Sequence, residues 1–295
     1  MTIKKVRKVV LPVAGMGTRI LPATKAVPKE MLTVVDKPLI EYAVSEAIEA
    51  GIEQVIFITG RGKSAIANHF DANPFLEEKL RFAGKTSLLN KVKQSTLKNG
   101  QAVYIRQTEP LGLGHAVYLA KDVIGDEPFA VILPDVLITG GNATKEMIDA
   151  YNATGGNIIG IHEVKKEHVS RYGIMDVAEI KNGYFRAKGM VEKPDIDKAP
   201  STLAAVGRYV LNPSVLDYMD KTAEAGKEIQ LTDAISRSIQ TTPLYGAKFS
   251  GKDYDCGNKL GLVEAIIETA LQDDEIKDSV AEIIKRNIKK NDKYK

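Results

Sequence analysis

Apolar residues fall in two alternating rhythms along the first half of the chain. Val9 to Val13 is a continuous apolar run, the pattern of a strand buried on both faces. Pro38 to Ala50 then carries apolar side chains at Ile40, Ala43, Val44, Ala47 and Ile48. That is the spacing of one helix face, and Gly51 is placed to cap its end. "QVIFITG", "AVYIRQ" and "FAVILPD" read as the second, third and fourth strands, the last ending in an acid. "GKSAIANHF", Phe75 to Gln94, "GHAVYLAKDVI" and Thr144 to Tyr151 read as helices between and after them. Strands and helices alternating over short connections predict a parallel sheet covered on both faces, joined by right-handed crossovers.

The second half changes character. "GNIIGIHEV", "YGIMDVAEI", "GYFRAKGMVEKP", "LAAVGRYVL" and "PLYGAKFSGKDYD" read as strands with few helices between them. Gly183 after Asn182 marks a hairpin turn. This pattern predicts extension of the sheet by antiparallel or mixed strands carrying a second part of the site. From Lys259 onward the pattern is helical again. No internal repeat and no low-complexity linker is present.

Composition narrows the choices. With 295 residues, 44% hydrophobic and 27% charged, the chain has the make-up of a soluble globular protein with a sizeable core. A net charge of +3 gives no support for a nucleic-acid surface. The single cysteine, Cys256, excludes an internal disulfide or a multi-cysteine metal site. No apolar run approaches the ~18 residues of a membrane span. "MTIKKVRKVVLPV" reads as a first strand, not a signal peptide, so a soluble cytoplasmic protein is expected.

Candidate chemistry begins in "LPVAGMGTRILPATKAVPKEML". Gly15 and Gly17 follow the first strand, letting backbone turn sharply and approach a ligand. The dinucleotide fingerprint fails because Ile20 stands where its third glycine belongs, and no Gly-Lys-Ser/Thr ending completes a Walker motif. Arg19, Lys25 and Lys29 share this proline-stiffened loop and would repel one another without an anion, which points to a polyphosphate. Asp135 in "VILPDV" follows a buried strand, on the edge where open α/β sheets bind ligands. Beside phosphate its task would be to hold Mg²⁺; the plainer alternative is a cap for the next turn. Asp255 in "YDCG" has the same form and is a candidate second ligand or, equally, a simple turn residue.

In "VEKP", Glu192 and Lys193 are neighbours, so an extended strand would point them to opposite sides. They read either as two residues of one site at a strand end or as a solvated ion pair. "LGLGHA" sets Gly112 and Gly114 at a helix start, after Gln107 at a strand end, where an amide suits the edge of a base; an ordinary turn is the equal alternative. His69, His115, His162 and His168 show no zinc-ligand spacing. Cys256 has no signature of a nucleophile. "IIKRNIKKNDKYK" reads as the polar face of an amphipathic helix or an arm packing on another subunit.

These residues resemble a known family. "AGMGTRILPATKAVPKEML" is similar to the signature loop of sugar-1-phosphate nucleotidyltransferases, more narrowly the bacterial UTP–glucose-1-phosphate uridylyltransferases. The likeness continues in order through "DKPLI", "GLGHAV", "GDEPFAVILPD", "RYGIMD", "VEKP", "APSTLAAVGRYVL", "EIQLTDAI" and "YDCGNKLG", from about residue 7 to 270. It implies an α/β fold with a Rossmann-like, mostly parallel mixed central sheet flanked by helices, and helices at the C-terminus. Residues 1–272 would form the nucleotidyltransferase domain, with nucleotide-binding (about 1–140) and sugar-binding (about 141–260) parts, and 273–295 a helical tail at a subunit contact. The partners implied are UTP and glucose 1-phosphate in a homodimer or homotetramer, without nucleic acid or membrane.

The reaction implied is direct in-line attack of the sugar phosphate on the α-phosphorus of UTP, giving UDP-glucose and pyrophosphate. Alignment and charge neutralisation would carry it, with no protein nucleophile. Carried over by motif, Gly15, Gly17, Thr18 and Arg19 would wrap the triphosphate, and Arg19 and Lys29 would neutralise the leaving group. Lys25 has no assigned role. Asp135 would bind Mg²⁺ with Asp255 as partner acid; Ala14, Gln107 and the Gly112 backbone would read uracil. Glu192 and Gly173 would meet the sugar, and Lys193 its phosphate. Where the family loop often reads "MLPV" or "MLPL", Thr33 replaces the proline and removes some stiffness. The rival readings are the same chemistry with dTTP or another sugar, and a non-catalytic nucleotide-sugar-binding paralogue. The second would be favoured by loss of Arg19, Lys29 or Asp135, and all three are present.

Overall fold

A computed structural model describes residues 3–219 and 228–291. After β1 (Lys8–Pro12) comes a loop of short 3₁₀ turns, then β2 (Thr33–Val34), β3 (Lys37–Pro38) and α1 (Leu39–Glu49). Next are β4 (Gln54–Thr59), α2 (Ser64–Phe70), α3 (Pro74–Phe82), α4 (Thr86–Ser95) and β5 (Ala102–Arg106). They lead to α5 (Leu113–Tyr118), α6 (Lys121–Ile124), β6 (Phe129–Ile132), β7 (Val136–Thr139) and α7 (Ala143–Thr154). The second half holds β8 (Asn157–Glu163), β9 (Gly173–Lys181), β10 (Tyr184–Glu192), β11 (Leu203–Leu211) and α8 (Leu231–Ser238). It ends with β12 (Leu244–Ala247), β13 (Lys252–Asp255), α9 (Lys259–Ala270) and α10 (Lys277–Asn291).

Nine of these strands form one sheet in the order β5-β4-β1-β6-β11-β8-β12-β10-β9. β1 pairs in parallel with β4 and β6, and β4 with β5, the half whose alternating pattern predicted it. β11 enters antiparallel to β6 and β8 and turns the sheet into a mixed one. Alternate side chains of the central strands feed two cores. Val10, Ile56 and Val131 pack with Val117 and Ile124 on one face. Val9, Leu11, Phe57 and Ile132 pack with Ile40, Val44 and Ile66 on the other. Each such fully buried side chain stabilises the fold by about 1.5–3 kcal/mol, which fixes the register of the loops at the strand ends.

The expected hairpin is present: Asn182 (φ 51°) and Gly183 (φ 81°) both take positive φ between β9 and β10. Several expectations need correction. Phe75 to Gln94 is two helices, parted at Gly84, whose φ of 66° no helix continues. "GHAVYLAKDVI" divides into α5 and α6 where Ala120 N–H bonds Val117, tightening the turn. The helices expected at the C-terminus are present as α9 and α10, parted at Asp273, whose carboxylate accepts the Glu275 N–H. "PLYGAKFSGKDYD" is two strands of different sheets, because Gly251 (φ 92°) turns the chain out of β12. α8 was not anticipated. The stiffness missing at Thr33 is supplied by the β2–β3 pair, in which Thr33 opposes Pro38.

Candidate active site

The loop after β1 folds back on itself. Gly17 has φ 65°, and a Cβ there would stand 3.1 Å from both Lys29 Cβ and Thr24 Cγ2. Thr24 Oγ1 donates to the Gly17 carbonyl at 2.7 Å. Beneath the loop, Lys63 Nζ donates to the Gly15 carbonyl (2.7 Å) and to Glu30 Oε2 (2.8 Å). Glu30 is fully buried, and burial pushes its carboxyl up despite the Lys63 charge. The adjacent Lys29 is thereby held over Gly15, with its Nζ 2.5 Å from Asp135 Oδ2. Ala14 is half-buried at the mouth of β1, Thr18 and Arg19 are exposed, and exposed Lys25 makes no ion pair among the described residues.

Asp135 lies three residues past β6, in a turn closed by Val136 N–H to the Leu133 carbonyl at 3.1 Å. β7 and β13 then pair antiparallel, setting Asp255 opposite Val136. Cys256 N–H donates to the Asp135 carbonyl at 2.8 Å, so the two acids stand side by side. Arg19 Nη1 is 3.6 Å from Asp255 Oδ2. A Cβ at Gly257 would stand 2.7 Å from Arg19 Nη2, 2.8 Å from Asp135 Oδ2 and 2.9 Å from Asp255 Oδ1. Glycine therefore keeps open a space faced by two carboxylates. Hard carboxylate oxygens around such a space fit a divalent cation such as Mg²⁺. Among the described residues no cluster of three or more His, Cys, Asp or Glu could hold a metal alone. Phosphate and water would complete its shell.

Behind the Asp135 turn sits Arg208, only 1% exposed. Its Nη1 donates to the Leu133 carbonyl (3.2 Å) and its Nη2 to the Val136 carbonyl (2.9 Å) and Glu46 Oε2 (2.8 Å). Glu46 also accepts from the Thr144 N–H and hydroxyl at the start of α7. Burial opposes its charge, but Arg208 outweighs it and holds the carboxyl below its ordinary range.

At the β5 end, Gln107 is buried and its Nε2 is 3.0 Å from His115 Nδ1. Gly112 has φ 97°, and a Cβ there would stand 2.8 Å from the Ile229 carbonyl. Opposite, register shifts in β10 at Ala187 bend the β9–β10 ladder, and Ile174 pairs with Ala204 of β11. Gly173 and Glu192, cross-strand neighbours, arrive beside α8, where Thr232 Oγ1 donates to Glu192 Oε2 at 2.7 Å. Lys193 takes φ 44°, so it does not point away from Glu192 as an extended strand requires. Its Nζ instead lies 3.4 Å from Glu192 Oε1.

A cavity of about 1010 Å³ brings together Arg19, Asp135, Asp255, Gly173, Glu192 and Lys193. Lys29 joins them through Asp135, whereas Ala14, Gly15, Gly17, Thr18, Gln107 and Gly112 are not part of its wall. Sequence reasoning missed Lys63, Arg208, Thr232 and Gly257. Gly257 stands two residues after Asp255 in "YDCG", a local signal, whereas buried Arg208 in "VGRYV" gives none.

Residues 8–272 match the family model described as nucleotidyl transferase. A UTP–glucose-1-phosphate uridylyltransferase 2 of Staphylococcus saprophyticus is 49% identical over 285 residues, 96% of this chain and 98% of that protein. A solved UTP-bound UGPase of Acinetobacter baumannii is 43% identical, with TM-score 0.87 over 95% of this chain and 98% of that one. A UDP-glucose pyrophosphorylase solved in complex with UDP-glucose is 39% identical, with TM-score 0.81 over 91% of this chain and all (100%) of that one. The glycine-rich cationic loop, the paired strand-end acids and these likenesses agree, and the chain belongs to the nucleotidyl transferase family.

Proposed function

We propose that the chain transfers the uridylyl group of UTP to glucose 1-phosphate, releasing pyrophosphate and forming UDP-glucose. The observation that carries this is the meeting of Arg19 with Asp135 and Asp255, and of Lys29 with Asp135, in a cavity that Glu192 and Lys193 also line. The names and bound molecules of the relatives supply the substrates.

On this reading Gly15, Gly17 and Thr18 offer backbone to the triphosphate, and Gln107, Gly112 and Ala14 receive the base. Glu192 and Gly173 orient the sugar, and Lys193 holds its phosphate beside the α-phosphorus. The sugar-phosphate oxygen attacks in line, a P–O bond forms, and the bond to pyrophosphate breaks. Arg19 and Lys29 neutralise the charge gathering on that leaving group, the kind of fixed electrostatic help that dominates such reactions. Asp135 and Asp255 would hold Mg²⁺, which when bound supplies charge neutralisation and orientation of phosphate oxygens. No protein nucleophile is required; burial pushes the Cys256 thiol up to about 12, which leaves it unreactive.

The same reading assigns residues 1–140 to the nucleotide, 141–260 to the sugar and 273–295 to a subunit contact in a homodimer or homotetramer, with 1–2, 220–227 and 292–295 outside the described residues. No described helix is long and apolar enough to cross a membrane, and we place the enzyme in the cytoplasm. Pyrophosphate release is the test, crossing UTP, dTTP, CTP, ATP and GTP with glucose, galactose and mannose 1-phosphates. The UTP–glucose 1-phosphate pair is expected to be fastest. A faster different pair overturns the substrate assignment, and no release with any pair overturns the reaction.

A further inference from the structure

The Gln107 amide can present either a donor or an acceptor to a base, and its neighbours decide which. Its backbone is fixed, the N–H donating to the Thr59 carbonyl at 2.8 Å. Its Nε2 lies 3.4 Å from the Gly112 carbonyl, which can only accept, and 3.0 Å from His115 Nδ1. Both amide hydrogens are thus directed inward. The second is received by a lone pair on His115 Nδ1, the acceptor role that a ring nitrogen takes against an amide hydrogen. Gln107 Oε1 has no hydrogen bond to any described residue and is left to accept from a ligand.

The segment carrying His115 cannot slide. Gly114 N–H donates to the Ile229 carbonyl at 2.8 Å, and Ile229 N–H to the Leu111 carbonyl at 2.8 Å. Cβ atoms at Gly112 and Gly114 would each stand 2.8 Å from the Ile229 oxygen. Gly114, Ala116 and Val117 are buried around the imidazole's attachment point. The ring therefore meets the amide from a fixed place.

We propose that His115 is a positioning residue for base selection: by accepting from Gln107 Nε2 it turns Oε1 toward the base. This selects a pyrimidine whose ring nitrogen N3 carries a hydrogen over one whose N3 is bare. The inference rests on Gln107 reading the base. Uracil donates from N3 to Oε1, whereas the N3 lone pair of cytosine faces that oxygen without a proton between them. Thymine shares the N3–H, so this device separates UTP from CTP and not from dTTP. Without the Nδ1 acceptor the amide can rotate and offer Nε2 to cytosine.

The test compares kcat/KM for UTP and CTP in wild type and in the variants Gln107→Ala, His115→Leu, His115→Ala and His115→Asn, with melting temperatures alongside. Asn places an amide oxygen close to the position of Nδ1 and so keeps the acceptor. The UTP/CTP ratio is expected to fall at least about 10-fold in His115→Leu and His115→Ala, chiefly through KM for UTP. His115→Asn is expected to restore most of it. Gln107→Ala must also relax the ratio; if it does not, Gln107 is not the base reader and the premise fails. If Gln107→Ala relaxes the ratio while both apolar His115 variants keep it, or if Asn behaves like Leu, the positioning role is overturned. Should one apolar variant not fold, the other and the Asn comparison decide.

Discussion

Lys29 Nζ and Asp135 Oδ2, 2.5 Å apart, are both largely shielded from water. Burial opposes both charges, yet each group is held charged by the other: Lys29 is raised and Asp135 lowered from their ordinary values. The lowered Asp135 contributes stability that is present above 3.8 and lost as pH falls through its folded value. The raised Lys29 contributes stability that is present below 10.5 and lost as pH rises through its own. Wild type is thus expected to outlast Asp135→Asn in thermal melts by a constant margin between those limits. That margin shrinks in acid; an acid-independent margin would refute the pairing. In catalysis Lys29→Ala is expected to lower kcat by ~100-fold or more, the usual loss for one fixed electrostatic donor. Near-wild-type pyrophosphate release would remove Lys29 from the reaction. At the other end, Lys193→Ala is expected to raise KM for the sugar phosphate far more than KM for UTP. Equal effects on both would end that division of labour.

The acids meet because β7 and β13 form a ribbon separate from the main sheet. "VILPDV" and "YDCG" showed two strand-end acids, since an acid directly after an apolar strand stands out from its run. Their proximity was not legible, because a ribbon between distant segments leaves no periodic trace and β7 is only four residues long. Local signals served where local forces decide: the alternating apolar strands, the Asn182–Gly183 turn and the sharp backbone turn at Gly17 all appear as read. They failed where a single residue breaks an element, as at Gly84 and Gly251. α8 could have been found, for Leu231, Ala234, Ile235 and Ser238 keep a helical spacing and are buried. The opposite sides expected of Glu192 and Lys193 were undone by one left-handed residue, which strand periodicity cannot foresee. The ribbon also gives Gly257 its task. Gly257→Ala would push a methyl group within 3 Å of both carboxylates and Arg19, as the 2.7–2.9 Å distances require. It is expected to raise the Mg²⁺ concentration for half-maximal activity several-fold, with little change in melting temperature. An unaltered Mg²⁺ titration would show that the space is not used.

Across the whole molecule, four elements converge on one buried ion pair. Arg208 comes from β11, Glu46 from α1, Thr144 from α7, and the accepted carbonyls from the turn bearing Asp135. β11 is also the strand that joins the parallel half of the sheet to the mixed half. A buried pair costs much desolvation and is weak evidence for stability in itself, but removing one partner leaves an uncompensated charge. Arg208→Met would strand Glu46 and two backbone oxygens; Glu46→Gln would leave Arg208 without its counter-charge. Each single change is expected to cost about 3–5 kcal/mol. The double variant is expected to cost clearly less than the sum, because the partners share one interaction. Denaturant melts of all four proteins measure this, and additive losses would show that the pair is not coupled. The same carbonyls flank Asp135, so a variant that stays folded should bind the metal more weakly. Isothermal Mg²⁺ titration in the presence of UTP, well below the melting temperature, reads that directly. Weakened metal binding in Arg208→Met together with unchanged UTP affinity would separate the support of the acid from general loosening of the fold. Parallel loss of both would reduce the network to a structural one.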